Sequence, residues 1–268
     1  MLEAIREAAE SNIGRGLARV HRECASDLSG GVASYIPELA AVDPDPFGLA
    51  LASVRGALWT CGEVEREFTI QSVSKAFTYC LALELAGREE VFARVGVEPS
   101  GDAFNAIVFD PATDRPFNPM VNAGAITVSS LIQRAHGGGA FDFVLERLSR
   151  AAGRDLALSA PVYRSESETG HRNRAIGHLL LNVGALAAPV EPALDLYFRQ
   201  CSILVTATDL ARMGATLANL GTNPDTREVV FDIGAVRDTL SVMLTCGMYD
   251  YASARRRRKA NRTDAVAA

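Results

Sequence analysis

Between Ser72 and Ala86 the apolar residues Val73, Ala76, Phe77, Cys80, Leu81 and Leu85 step by three and four positions, which predicts a helix with a buried face. Gly87 follows as a candidate C-cap. Within that run stands Lys75, and of the 27 basic residues only Lys75 and Lys259 are lysines. A chain that otherwise uses arginine has set the sole lysine of its body in an apolar helix. Arginine stays protonated, whereas a buried lysine can give up its proton and act as a base. Ser72 lies three residues earlier, one turn away on the same face, so the amine can reach its hydroxyl. The unpaired backbone N–H groups at the helix start, that of Ser72 included, can receive a developing oxyanion. Taken alone, Ser-x-x-Lys also fits a serine cap beside a solvated lysine.

A chain of 268 residues with 48% hydrophobic and 22% charged residues can bury a substantial core. No run approaches the roughly 18 to 20 apolar residues of a membrane helix, and MLEAIREAAE lacks the apolar core of a signal peptide. A cytoplasmic protein without a membrane partner is the expectation. The net charge is −5, but residues 255–268 hold six basic residues and one acidic, so the remainder carries −10. An acidic body argues against nucleic acid as a partner. Cys24, Cys61, Cys80, Cys201 and Cys246 are odd in number and scattered, with no Cys/His cluster at metal-ligand spacing, so reduced thiols and no metal are expected.

Leu2, Ile5, Ala8, Ala9, Ile13, Leu17 and Val20 predict an amphipathic helix over the first 25 residues, and GGVASYIPELA then reads as a loop. FGLALASV and GALWTCG around Arg55-Gly56 predict a β-hairpin that delivers the chain to EFTIQSVSKAF. Further helices are predicted at Asn122 to Arg134, Phe141 to Ala152, Asn173 to Leu186, Val190 to Cys201 and Thr208 to Leu220. Thr206 to Asp209 offers cap residues for the last, and Gly221 with Pro224 stops it. One sheet-bearing part with an inserted helical part, about residues 90–225 of a 1–254 domain, is the simplest organisation, followed by a basic, disordered tail at 255–268.

FTIQSVSKAF, GGVASYIPELA, EPSGDAFNAI, RPFNPMVNAGAI, SESETGHRNRAI, YFRQCSI, LANLGTNP and SVMLTCGMYD together resemble the successive motifs of the serine-dependent glutaminases, in order and spacing, from about Gly30 to Asp250. The resemblance implies an α+β fold of the β-lactamase/transpeptidase type, with an antiparallel sheet flanked by helices and an inserted helical subdomain. It implies hydrolysis of L-glutamine to L-glutamate and ammonia without a cofactor, and a homo-oligomer, dimer or tetramer. Residue by residue, Ser72 matches the nucleophile, Lys75 its base and Tyr249 a proton-transfer tyrosine, while Tyr35, Asn122, Glu166, Asn173 and Tyr197, with Ser72 and Tyr249, match the residues that hold substrate. Their chemistry suits an amino acid: Glu166 for the ammonium, neutral donors such as Asn122, Asn173 and Tyr35 for the rest. Each also has a plainer role, Asn173 as a helix cap or Glu166 as a helix-start charge.

After CGMYD the family pattern continues through a Lys-Ser-Gly-Val-Gly-Gly-Gly segment that supplies an oxyanion donor and further strands; this chain reads YASARRRRKANRTDAVAA. The expectation is a frameshifted or truncated chain that lacks the last strands. Two other functions fit less of the sequence. A β-lactamase or penicillin-binding transpeptidase shares Ser-x-x-Lys but adds Ser-Asp-Asn and Lys-Thr-Gly, neither of which occurs. A truncated, non-catalytic amino-acid binder would keep Glu166, Asn122 and Asn173 without turnover.

Overall fold

Alternating residues around Gly56 pair as the pattern predicts. In the computed structural model, which describes residues 2–248 and side chains from residue 12 on, β1 (Gly48–Ala52) runs antiparallel to β2 (Leu58–Gly62), with Leu51 opposite Trp59. Gly56, at φ 86°, turns the chain between them, and Ser53 Oγ accepts the Ala57 N–H. Short strands β3 (Phe68–Thr69), β4 (Ala157–Leu158) and β5 (Ile203–Val205) form a second antiparallel sheet in the order β3-β5-β4. Helices and small antiparallel sheets make the chain α+β.

The described residues divide into two units. The first gathers those up to Ile70 with Leu145–Thr169 and Ser202–Val230; the second gathers Gln71–Val144, Gly170–Cys201 and those from Phe231. In the first, α9 (Ala207–Ala218) packs on β1. Its start is a reciprocal cap in which Thr206 Oγ1 accepts the Asp209 N–H while the Asp209 carboxylate accepts the Thr206 N–H. Arg154 closes the arrangement, Nε donating to Asp209 Oδ1 at 2.9 Å and Nη2 to Oδ2 at 2.6 Å. The first unit also holds α1 (Leu2–Cys24), α2 (Pro37–Ala40) and α6 (Ala160–Thr169).

The second unit is helical. α3 (Ser74–Arg94) packs on α4 (Asn122–His136), α4 on α8 (Val190–Cys201), and α7 (His171–Asn182) on both α4 and α8. Leu81, Ile126, Leu131, Ile132, Ile176, Leu180, Leu194 and Phe198 are all buried there. Each such side chain contributes about 1.5–3 kcal/mol on burial. α10 (Ile233–Cys246), capped by Asp232, lies against α3, with an Arg88–Asp238 ion pair at 2.8 Å. α5 (Ala140–Ala152) runs from the second unit into the first.

Three expectations need adjusting. Within the predicted loop GGVASYIPELA, Pro37 opens the one-turn α2, its fixed φ suiting the first helical position. Ser72 does not open α3 but sits in the 3-10 turn Gln71–Val73 before it. Gly87, at φ 76° and ψ 161°, breaks helical geometry where the sequence places a stop, and a second helical stretch follows across the kink to Arg94. The helix predicted at Asn173 to Leu186 spans His171–Asn182 instead. No helix among the described residues is long and apolar enough to cross a membrane.

Candidate active site

The Gln71–Val73 turn is tied to the helix it precedes: Gln71 stands at φ 47°, and Ser74 Oγ donates to its carbonyl at 2.7 Å. Ser72 lies in that turn, and Lys75, three residues on, is the second residue of α3. Ser72 is half-buried and Lys75 is 1% exposed. The buried amine donates to Met120 O at 3.0 Å and to Asn122 Oδ1 at 2.7 Å, with the Phe104 ring centroid 5.6 Å away. The acceptors are neutral dipoles. Burial therefore dominates and pushes the amine down to about 8, against a smaller upward pull from Cys201.

Asn122 is the first residue of α4, and its two amide ends have separate duties. Its Oδ1 takes the Lys75 proton bond, while its Nδ2 donates to Asn173 Oδ1 at 3.0 Å. Asn173 is thus the third residue of α7, bonded to Asn122, and not the helix cap; Gly170 holds that position. Tyr197, on α8, is buried, with its ring 5.9 Å from that of Phe198. Lys75, Asn122 and Asn173 form one hydrogen-bonded chain within the second unit.

Two residues that hold this chain escaped the sequence reading. Met120 supplies a backbone carbonyl, which no residue-type pattern can reveal. Asn118 aims it: its Oδ1 accepts the N–H groups of Met120 at 3.0 Å and Val121 at 3.3 Å, and its Nδ2 donates to Glu98 O at 2.8 Å. The Asn118-Pro119 pair, a turn-forming dipeptide, was the available signal. Gly124 lets α4 settle on this bend, since a Cβ there would meet Asn118 O at 2.0 Å.

Glu166 and Tyr35 belong to the first unit. Glu166 is buried on α6, where desolvation pushes its carboxyl up to about 7; Tyr35 is exposed. Among the described residues no ion pair reaches Glu166. Tyr249, the remaining predicted site residue, lies outside the described residues, as does the basic tail. Among the described residues no group of three His, Cys, Asp or Glu side chains could hold a metal ion.

The model of one protein family, Glutaminase, matches residues 30–255. The chain belongs to the glutaminase family. A glutaminase of Nostoc sp. is 51% identical over 233 residues, covering 87% of this chain and 70% of that protein. Glutaminase 2 of Bradyrhizobium diazoefficiens is 54% identical over 238 residues, covering 89% of this chain but 38% of that protein. Among solved structures, a probable glutaminase, ybaS, has a TM-score of 0.88 at 34% identity, covering 92% of this chain and 81% of that one. Mglu in its native form has a TM-score of 0.85 at 41% identity, covering 90% and 59%. Glutaminases hydrolyse glutamine, and these neighbours share the β-lactamase-like fold, so the expected α+β class and enzyme class stand.

Proposed function

We propose that this chain hydrolyses the side-chain amide of L-glutamine through an acyl-enzyme on Ser72, with Lys75 as the base. The observation that carries the reading is the state of Lys75: fully buried, hydrogen-bonded to neutral acceptors, and lowered to about 8. At pH 7 about a tenth of such an amine is neutral, against far less than a hundredth for an ordinary lysine.

Ser72 Oγ attacks the amide carbon as its proton passes to the Lys75 amine. The tetrahedral intermediate collapses, breaking the C–N bond, and ammonia leaves with the proton that Lys75 returns. Water then attacks the γ-glutamyl ester, Lys75 takes a proton from it, and Ser72 Oγ departs as the hydroxyl, which releases glutamate. Asn122 keeps the amine oriented and links it to Asn173, and both asparagines offer amide groups for the substrate. The resemblance gives Tyr35 and Tyr197 substrate-holding roles and Tyr249 a share in proton transfer. Glu166 is offered for the substrate ammonium. Its burial supports this, because a carboxyl near 7 is about half ionised at neutral pH and a cation beside it favours the charged form. That Mglu has been solved in a glutamate form is consistent with a product site in the family.

The test is ammonia release from L-glutamine by the purified 268-residue chain beside Ser72→Ala. Turnover in the parent that vanishes in Ser72→Ala supports the assignment. Turnover that survives Ser72→Ala excludes Ser72 as nucleophile, and calorimetric glutamate binding with no ammonia release would make the chain a non-catalytic binder.

A further inference from the structure

Behind the Ser72–Lys75 turn lies a second polar group that the chemistry above does not use. Gln200, on α8, is fully buried. Its Nε2 donates to Thr78 Oγ1 at 3.4 Å, and its Oε1 accepts from Ser129 Oγ at 3.3 Å. Thr78 and Ser129 are themselves fully buried, on α3 and α4. The Thr78 hydroxyl in turn donates to the carbonyls of Ser74, at 3.2 Å, and Lys75, at 3.3 Å. One amide therefore joins three helices, and its α3 leg ends on the backbone of the first turn that carries Lys75.

Each of those helices brings a site residue of the second unit: Lys75 on α3, Asn122 on α4 and Tyr197 on α8. Tyr197 stands three residues before Gln200, on the same helical face. An apolar side chain of similar size would fill the space as well as Gln200. A buried amide there is instead a directional tie, since pulling either of its ends from its partner leaves a buried polar atom unmatched, at a free-energy penalty. That penalty penalises rotation of α3 against α4, the motion that would separate the Lys75 amine from Met120 O and Asn122 Oδ1.

We propose that Gln200 is a positioning residue: through Thr78 and Ser129 it fixes the first turn of α3 against α4 and α8, and so holds the Lys75 amine in register with Ser72 and Asn122. This role rests on the hydrolysis proposed for Ser72 and Lys75, and two readouts separate the two ideas. Because the chain has two lysines, Lys259→Arg leaves Lys75 as the single lysine, and isotope-labelled lysine lets its amine be titrated directly by NMR without turnover. In that background Gln200→Leu and Thr78→Val should each move the Lys75 midpoint the same way, up toward the ordinary lysine range, as water gains access. The double variant should move it no further than the larger single change. Where turnover is measured, kcat should fall on the order of 10- to 100-fold, with a smaller change in KM. A Lys75 midpoint and a kcat per folded molecule both unchanged, with only a lowered Tm, would overturn the proposal and leave Gln200 a packing residue. Should Gln200→Leu not fold, an unmoved midpoint in both Thr78→Val and Ser129→Ala overturns it equally. A midpoint that shifts in a parent with no turnover would support the positioning role while removing the hydrolysis assignment.

Discussion

The starts of α3 and α9 each bury an ionisable group, and they treat it in opposite ways. At α9, burial alone would raise the Asp209 carboxyl, but the Arg154 guanidinium and the Thr206 N–H and hydroxyl outweigh it and hold the group below 3.8. At α3, Lys75 meets a carbonyl and an amide oxygen, and nothing offsets desolvation to the same extent, so the amine is left near 8. A buried charge given an opposite charge is fixed in one state and serves the fold. A buried charge given neutral dipoles stays within reach of a proton exchange, as the base proposed for Ser72 requires.

The pH dependence of stability separates the two groups further. The Asp209 contribution is present above the unfolded aspartate value and is lost as pH falls through its lower folded value. Lys75 has its folded value below that of the unfolded chain. Its burial therefore costs stability while the amine is charged, below about 8, and the cost is relieved as pH rises toward 10.5.

The largest effect expected from this contrast is on turnover. Lys75→Arg keeps the charge but has no proton to give up near neutrality, so kcat/KM for glutamine should drop by about 10³-fold or more. The parent should show kcat/KM rising with pH through about 8, and Lys75→Arg should lose that limb. A variant that retains a tenth of parental activity would break the comparison. Next in size, Asp209→Ala removes both the cap and the Arg154 pair and should cost about 2–3 kcal/mol in urea unfolding. Turnover per folded molecule should stay at the parental value; a matching collapse of activity would show that the two helix starts are not functionally distinct. The smallest effect sharpens the rule by extending it. Glu166 is a buried carboxyl with no ion-pair partner among the described residues, which places it with Lys75. Glu166→Gln should raise KM about 10-fold with little change in kcat. A lowered Tm with KM unchanged would assign Glu166 to the fold instead.

Much of this was legible in residue order. The hairpin, α4, α8 and α9 follow from period and cap residues, with Val190–Cys201 recovered to both ends. The Thr206–Asp209 cap could be read because its partners lie three residues apart. What sequence reasoning missed depends on partners far along the chain. α10 is not among the predicted helices although Asp232 caps it. The Met120 carbonyl, the Asn118 bend and the Gln200 tie join positions 45, 20 and 122 residues apart, and no local period encodes such pairings. Ser72 and Lys75 could be singled out as candidates because their spacing is local; the partners of the Lys75 amine are not.

Lys75 is the lone lysine among the described residues, which gives amine-acylating reagents a single side-chain target there. With Lys75 sealed at 1% exposure, no other side-chain amine between residues 2 and 248 can be modified. Acylation at that position must wait for the second unit to open. Its rate is then a built-in clock for the breathing of α3, read by mass spectrometry as a tag on the peptide that carries Lys75.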